Sequence, residues 1–333
     1  MLNMYGVGML WILIGIPIGV VLLYFGSEWL VDGAKKLSIR LGISPFTVGL
    51  TVVALGLAAP EVATTLISND PQIVIGSIVG SNIANIGIAI GIAAIIYPVF
   101  CMYSEIKYDI LIMFAAVLIV SAMALTGSLG LIEGLILLVG MCLFILYTLK
   151  HTKKTVCTVC KQGETEEAVV EESLKTPMWK CIVLVAAGII LLFVGVTAFI
   201  DGAKELAGML GVPHLMTGLV IVAFGVCLPE LCVCITAASR HENEILVSNI
   251  IGSIVFNCFF ALGAGVIYTP VAVTYYTMTF HMPVMIIMSL LLMFFIRNSS
   301  RISRLQGIVL VSVYLIYVLL MVIFPQLTQG LVD

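Results

Sequence analysis

Residues 32–61 read DGAKKLSIRLGISPFTVGLTVVALGLAAPE, and residues 201–230 read DGAKELAGMLGVPHLMTGLVIVAFGVCLPE. Fourteen of these thirty positions are identical at one constant offset of 169, among them Asp32 and Asp201, Lys35 and Lys204, Pro60 and Pro229, and Glu61 and Glu230. Shared apolarity does not produce identities of that kind, so the chain carries a duplication. Each copy ends on a glutamate that follows a proline inside an apolar stretch. A carboxylate in hydrocarbon costs at least about 2.5 kcal/mol on insertion scales, so it marks a functional site by default. Two of them at equivalent places point to one shared site, and to the transport of a cation.

The surrounding composition is that of a membrane protein. The chain is 62% hydrophobic and 10% charged, with mean hydropathy +1.22, far outside the range of a soluble domain. Apolar stretches of about 20 residues cross a bilayer as helices. Ten are expected, over 8–25, 46–67, 73–97, 109–125, 129–148, 181–199, 215–238, 245–267, 278–296 and 306–326. The first has no basic residue before it and no small-residue cleavage site after it, which predicts a retained helix. With the N-terminus outside, every Lys and Arg except Lys204 falls on inward loops, as the positive-inside rule requires. The expected fold is therefore an all-α integral membrane protein of ten transmembrane helices, with both termini external.

Residues 149–179 are rich in Lys, Glu and Thr and too short and polar to hold a core. They are expected to form an inner linker between a first five-helix repeat, 1–148, and a second, 180–333. The nine cysteines lie mainly in spans or on the inner side, where thiols stay reduced. Cys157 and Cys160 lack a second pair to complete a zinc site, and the pair reads as incidental. The net charge of −3 is sorted by membrane side, and no basic nucleic-acid surface is present.

Glu61 lies in the second span and Glu230 in the seventh, an odd number of passes apart. The copies must then be inverted relative to each other, a recurring transporter design in which interrupted helices meet near the midplane. Proline within a helix lacks the donor for the carbonyl four residues back. Here those carbonyls belong to Gly56 and Gly225, and a backbone oxygen freed inside a membrane must find a partner. Leu57 and Ala58, like Val226 and Cys227, offer only backbone oxygen. A second paired element follows. Ser77, Ser81 and Asn85 share one helix face in the third span, and Asn249, Ser253 and Asn257 share one in the eighth. Either face alone reads equally well as a polar packing seam. Opposite the two Pro-Glu breaks, they become oxygen ligands.

Two carboxylates, amide oxygens, hydroxyls and carbonyls make an all-oxygen set suited to a hard cation such as Ca2+. None of the four histidines lies mid-span beside the motifs. His214 and His281 fall at span edges, His151 and His241 in inner loops, and each is expected to be interfacial. Two negative charges neutralise one Ca2+, two Na+ or two protons, and that equivalence is the physical basis of exchange.

The paired segments resemble the two signature repeats of the cation/calcium exchanger superfamily, which includes sodium/calcium exchangers. The family pattern is Gly-Thr-Ser-x-Pro-Glu followed by Gly-Asn-x-x-Gly-Ser-Asn-x-x-Asn/Asp, and the resemblance covers essentially the whole chain. It implies that Glu61 and Glu230 are the central ligands, completed by Asn85 and Asn257. Ser81 and Ser253 match hydroxyls associated with Na+, and the carbonyls of Ala54 and Ala223 sit where the family uses backbone oxygen. The chain departs from the pattern where Thr-Ser becomes Leu57-Ala58 and Val226-Cys227, so four hydroxyls are missing. Ser77 and Ile254 each stand where Asn is usual, and Asn257 where several members have an acid. The expected activity is antiport of Ca2+ against Na+, or failing that H+, with no enzymatic step and no cofactor. Its partners would be inorganic cations and the lipid of a prokaryotic inner membrane, and a monomer is the simplest expectation. Rival readings are an exchanger for another cation and a non-transporting scaffold or sensor acting through 149–179. A channel is a weaker third.

Overall fold

Gly42 ends the first helix of the computed structural model, which describes residues 2–68, 70–151, 173–209 and 227–328. Its φ is +65°, and it donates to Ile39 O at 3.2 Å while Ile43 N donates to Ser38 O at 3.1 Å. This paired closure satisfies the last carbonyls of a helix through a left-handed glycine. That helix, α1, runs Leu2–Leu41, well past the expected end near residue 25. The Asp-Gly-Ala-Lys segment contains no proline, and its Ala and Lys are good helix formers, so the helix persists beyond its apolar stretch. The same holds for α7, Met178–Met209, which contains the second copy of that segment.

The other helices follow the expected spans more closely. They are α2 (residues 45–57), α3 (Ala59–Ile67), α4 (Pro71–Ile96), α5 (Tyr103–Ala124), α6 (Leu131–Lys150), α8 (Leu228–Ser239), α9 (Asn243–Tyr268), α10 (Thr277–Ser299) and α11 (Arg304–Ile323). Ser44 caps α2 by accepting from Thr47 N at 3.2 Å, with Pro45 in the first turn, a start that chain chemistry favours. Among the described residues nine helical stretches are long and apolar enough to cross a membrane, counting α2 and α3 as one. The expected span 215–238 is described only from Cys227 onward, as the shorter apolar α8.

The loops fall at two ends. At one, β1 (Val99–Phe100) pairs antiparallel with β4 (Arg301–Ile302), and Lys35 meets Glu242 at 2.6 Å. A cavity of about 390 Å3 lined by Ser44, Phe100, Glu105, His151 and Glu244 lies among these loops. At the other end β2 (Ser128–Leu129) pairs with β3 (Val271–Ala272). There Thr269 Oγ1 donates to Ser68 O at 3.2 Å, and Gln72 Nε2 to Ala272 O at 3.0 Å. The first end collects the loops after α1, α4, α8 and α10, and the second those after α3, α5 and α9. Consecutive spans thus alternate in direction, and each bridge joins one copy to the other. The consequence for function is direct: α3 leaves toward the second end and α8 toward the first.

Two packing features hold this frame. α4 and α9 form the centre, buried over 83% of their apolar windows against 22–44% for the other long helices. α1 and α7 run antiparallel along a glycine seam. A Cβ on Gly26 would lie 2.9 Å from Leu192 N, and one on Gly188 would lie 2.7 Å from Leu30 N. Lipid supplies no hydrophobic drive between helices, so such backbone approach is what joins them.

Candidate functional site

Both Pro-Glu segments are places where a helix stops and restarts. Ala58 has φ −77° and ψ −2°, and Cys227 has φ −92° and ψ 2°, so the two breaks share one geometry. The restarted helices close with Val62 N to Ala58 O at 3.1 Å and Leu231 N to Cys227 O at 2.9 Å. Pro60 and Pro229 occupy the first turn of each, where their missing N–H costs the new helix nothing. It does cost the old one, because Gly56 O is left without its donor. Glu61 and Glu230 follow in the same first turns, where the positive end of the helix dipole favours a carboxylate.

α3 and α8 leave their breaks in opposite directions, and both begin on a buried glutamate turn. Glu61 and Glu230 are electrostatic neighbours, and the Cys227 thiol at the second break is near both. The glutamates are 4% and 2% exposed, so neither is turned outward. Each is seated on the other copy. α3 packs on a π-helical turn at Phe256–Ala261 within α9, and α8 packs on a π-helical turn at Asn85–Ile90 within α4. Such turns interrupt a helix by one residue and recur at functional sites. The turn in α4 begins with Asn85, and the turn in α9 contains Asn257.

The polar atoms here are only partly paired. Asn257 Nδ2 donates to Ser81 Oγ at 3.1 Å and to Asn82 Oδ1 at 3.0 Å, and Ser81 Oγ donates to Ile78 O at 3.3 Å. Asn257 Oδ1, both amide atoms of Asn85, the Ser253 hydroxyl and Glu230 Oε2 are buried with no hydrogen-bond partner among the described residues. Asn249 is also buried, beside the Cys234 thiol. Ser77 stays half-buried, and its hydroxyl is spent on Val74 O at 3.1 Å. Ala54 and Leu57 are buried in the turn before the break. Ala223 and Val226 lie outside the described residues, as do Cys157, Cys160 and His214.

Three details lay beyond sequence reasoning. Asn82, 0% exposed, is wired directly into the cluster through Asn257. One sequence signal points to it: Ile254 stands at the equivalent position in the second copy. His281 is not interfacial. It is fully buried, with Nδ1 at 2.8 Å from Tyr317 Oη and Nε2 at 2.8 Å from Leu327 O. The Leu327 carbonyl accepts, so Nε2 carries the proton and Nδ1 accepts from Tyr317. Finally, no group of three His, Cys, Asp or Glu side chains among the described residues is placed to hold a metal. The charge at this site is two carboxylates, and the remaining donors are neutral oxygens, which suits a hard cation.

The sequence profile of a family described as sodium/calcium exchanger protein matches residues 7–150 and 180–323. An uncharacterized membrane protein of Methanocaldococcus jannaschii is 33% identical over 302 residues, covering 90% of this chain and 94% of that one. The sodium/calcium exchanger MaX1 of Methanosarcina acetivorans is 29% identical, covering 91% and 96%. A solved structure of the sodium-calcium exchanger NCX_Mj, soaked with Na+ and Sr2+, superposes with a TM-score of 0.78 at 30% identity, covering 93% and 98%.

Proposed function

The chain belongs to the sodium/calcium exchanger family, and from that premise we propose that it exchanges Ca2+ for Na+ by alternating access around one site held by Glu61 and Glu230. As a family member it is a multi-pass membrane transporter and not an enzyme. Relatives include the inner membrane protein YrbG of Escherichia coli, and the cell membrane of a prokaryote is the location that fits.

The observation that carries this reading is the set of buried oxygen atoms without donors. Glu230 Oε2 on α8, Asn85 Oδ1 on α4, and Asn257 Oδ1 and Ser253 Oγ on α9 are buried without a donor among the described residues, on helices that pack against one another. Each unsatisfied buried polar atom costs about 1–3 kcal/mol. A cation coordinated by them removes that cost and the repulsion between the carboxylates together. Glu61 and Glu230 would bind a divalent ion jointly and monovalent ions separately. Asn85, Asn257, Ser81 and Ser253 would supply neutral oxygen, with the carbonyls of Ala54 and Leu57 and their counterparts Ala223 and Val226.

A second reading has its own support. Leu57, Ala58, Val226 and Cys227 remove four hydroxyls from the breaks, which weakens a Na+ site but leaves both carboxylates able to carry protons. Ca2+/H+ exchange at the same site follows. The topology in this proposal places the basic loops inside, both termini outside, and the repeats 1–148 and 180–333 on either side of an inner linker at 149–179.

Alternating access is favoured by an inequality between the two ends. At the basic end Arg240 Nε donates to Glu28 at 3.2 Å, a second guanidinium nitrogen pairs with the same carboxylate, and Lys35 meets Glu242. Ser27 and Thr236 hydroxyls touch at 2.8 Å across α1 and α8. At the opposite end the equivalents Asp201 and Lys204 make no ion pair with a described residue. Ile67, the counterpart of Thr236, is 78% exposed against 6%. Among the described residues, the two ends therefore differ in the contacts that close them.

Reconstituted in proteoliposomes, the chain is expected to take up radioactive Ca2+ when an outward Na+ gradient is imposed. A pH gradient that drives uptake in the absence of Na+ would select the proton-coupled reading. Uptake indifferent to both gradients would defeat antiport.

A further inference from the structure

We propose that Asn82 is a positioning residue that turns the Asn257 amide oxygen toward the transported cation, an assignment that rests on the site described above. An asparagine amide has one end that attracts a cation and one that repels it. A site that uses two such amides needs something to choose the end. Around Asn257 the choice is made by a chain of contacts in which each acceptor fixes the next donor.

The chain begins at Met285. A thioether sulfur can only accept, and Asn82 Nδ2 lies 3.7 Å from Met285 Sδ and 3.3 Å from Cys258 Sγ. With its nitrogen directed at the two sulfurs, Asn82 presents Oδ1 to the other side. There it accepts from Asn257 Nδ2 at 3.0 Å, and Ser81 Oγ accepts the second hydrogen at 3.1 Å. Both hydrogens of the Asn257 amide are thereby engaged, and its oxygen is the atom left without a partner. Turning Asn257 over would set its oxygen against Asn82 Oδ1, acceptor against acceptor. Asn82 and Asn257 are 0% and 1% exposed, so water does not relieve that conflict.

The second copy has no such device. The position equivalent to Asn82 is Ile254, which has nothing to offer an amide. Accordingly, neither amide atom of Asn85 has a partner among the described residues. The two copies thus contribute unequally: Asn257 arrives with its oxygen fixed, and Asn85 is oriented by whatever occupies the site.

The test exploits the fact that a carboxylate, unlike an amide, has no wrong end. Asn82→Leu in the full-length exchanger is expected to raise the half-saturating Ca2+ concentration about 10–100-fold, the usual cost of losing the partner that orients a ligand, with little change in maximal rate. Adding Asn257→Asp should recover most of the loss, because either orientation then presents oxygen. If Asn82 merely fills space, the double variant will be no better than Asn82→Leu. An Asn82→Leu protein with unaltered half-saturation would also overturn the assignment. Should that variant not fold, Met285→Leu combined with Cys258→Ala removes the acceptors that orient Asn82. It must then weaken Ca2+ binding and be rescued by Asn257→Asp. Glu230→Gln is measured alongside by calorimetry. Undiminished Ca2+ binding there refutes the two-glutamate site, whereas loss there with normal Asn82→Leu refutes only the role of Asn82.

Discussion

Glu230→Gln is expected to lower Ca2+ exchange by about two to four orders of magnitude without unfolding the protein, and Glu61→Gln to do the same. The reason is charge. A divalent ion buried at the meeting point of α3 and α8 is balanced by two carboxylates, and removing one leaves a buried charge uncompensated, at about 3–5 kcal/mol. Stability should move the other way. Without cation the two acids, 4% and 2% exposed and acting on each other, are a burden on the fold. The glutamine variants should therefore melt at the same temperature as the parent or higher in chelator. They should also lose the rise in melting temperature that Ca2+ gives the parent, since only a ligand that binds the folded state stabilises it. Calorimetry and melting curves in detergent, with and without Ca2+, read both effects. A variant that keeps its Ca2+-dependent shift would exclude its glutamate from the site. A scaffold or sensor that does not transport would be indifferent to both changes.

Gly252→Val should be as damaging to exchange, but through packing. Gly252 lies one residue before Ser253 on α9, and a Cβ built there meets Leu50 O at 2.5 Å and Ala54 Cβ at 2.6 Å. One of those atoms is backbone, so no rotamer change relieves the overlap. α9 must retreat from α2 at the level of Ala54, a turn before the break that leads to Glu61. Overpacking of this kind costs about 1–3 kcal/mol, and the displacement separates the α9 oxygens from the first-copy carboxylate. Exchange should fall to near background and the melting temperature should drop with it. Ca2+ is expected to restore little of that stability, in contrast to the parent protein. Normal exchange by Gly252→Val would mean that this helix contact is not part of the transport site.

The duplicated segment carried most of the architecture. Identical Pro-Glu pairs an odd number of spans apart require opposite directions, and α3 and α8 do leave for opposite ends. The breaks themselves were legible because proline acts locally: a missing N–H is a property of one residue. What the sequence could not display is what each break rests on. That α3 sits on the π turn bearing Asn257, and α8 on the one bearing Asn85, depends on packing between residues far apart in the sequence. The same is true of Asn82, whose partners Cys258 and Met285 lie in the other copy. His281 looked interfacial because it stands at a span edge, yet Tyr317 and the turn containing Leu327 cover it. α1 outran its apolar stretch because helix continuation depends on the absence of a breaker, not on hydropathy. The ends of helices in water and the pairing of distant side chains are settled by tertiary contacts, and spacing rules do not reach them.

The central claim is that a single divalent ion is held jointly by acids from the two inverted copies. Anomalous diffraction from crystals soaked in Sr2+ tests it most directly. The account predicts one strong peak between Glu61 and Glu230, about 2.3–2.6 Å from carboxylate oxygens of both, and no such peak in Glu230→Gln crystals. A peak bound to only one of the two glutamates, or located away from both in a protein that still exchanges Ca2+, would contradict it.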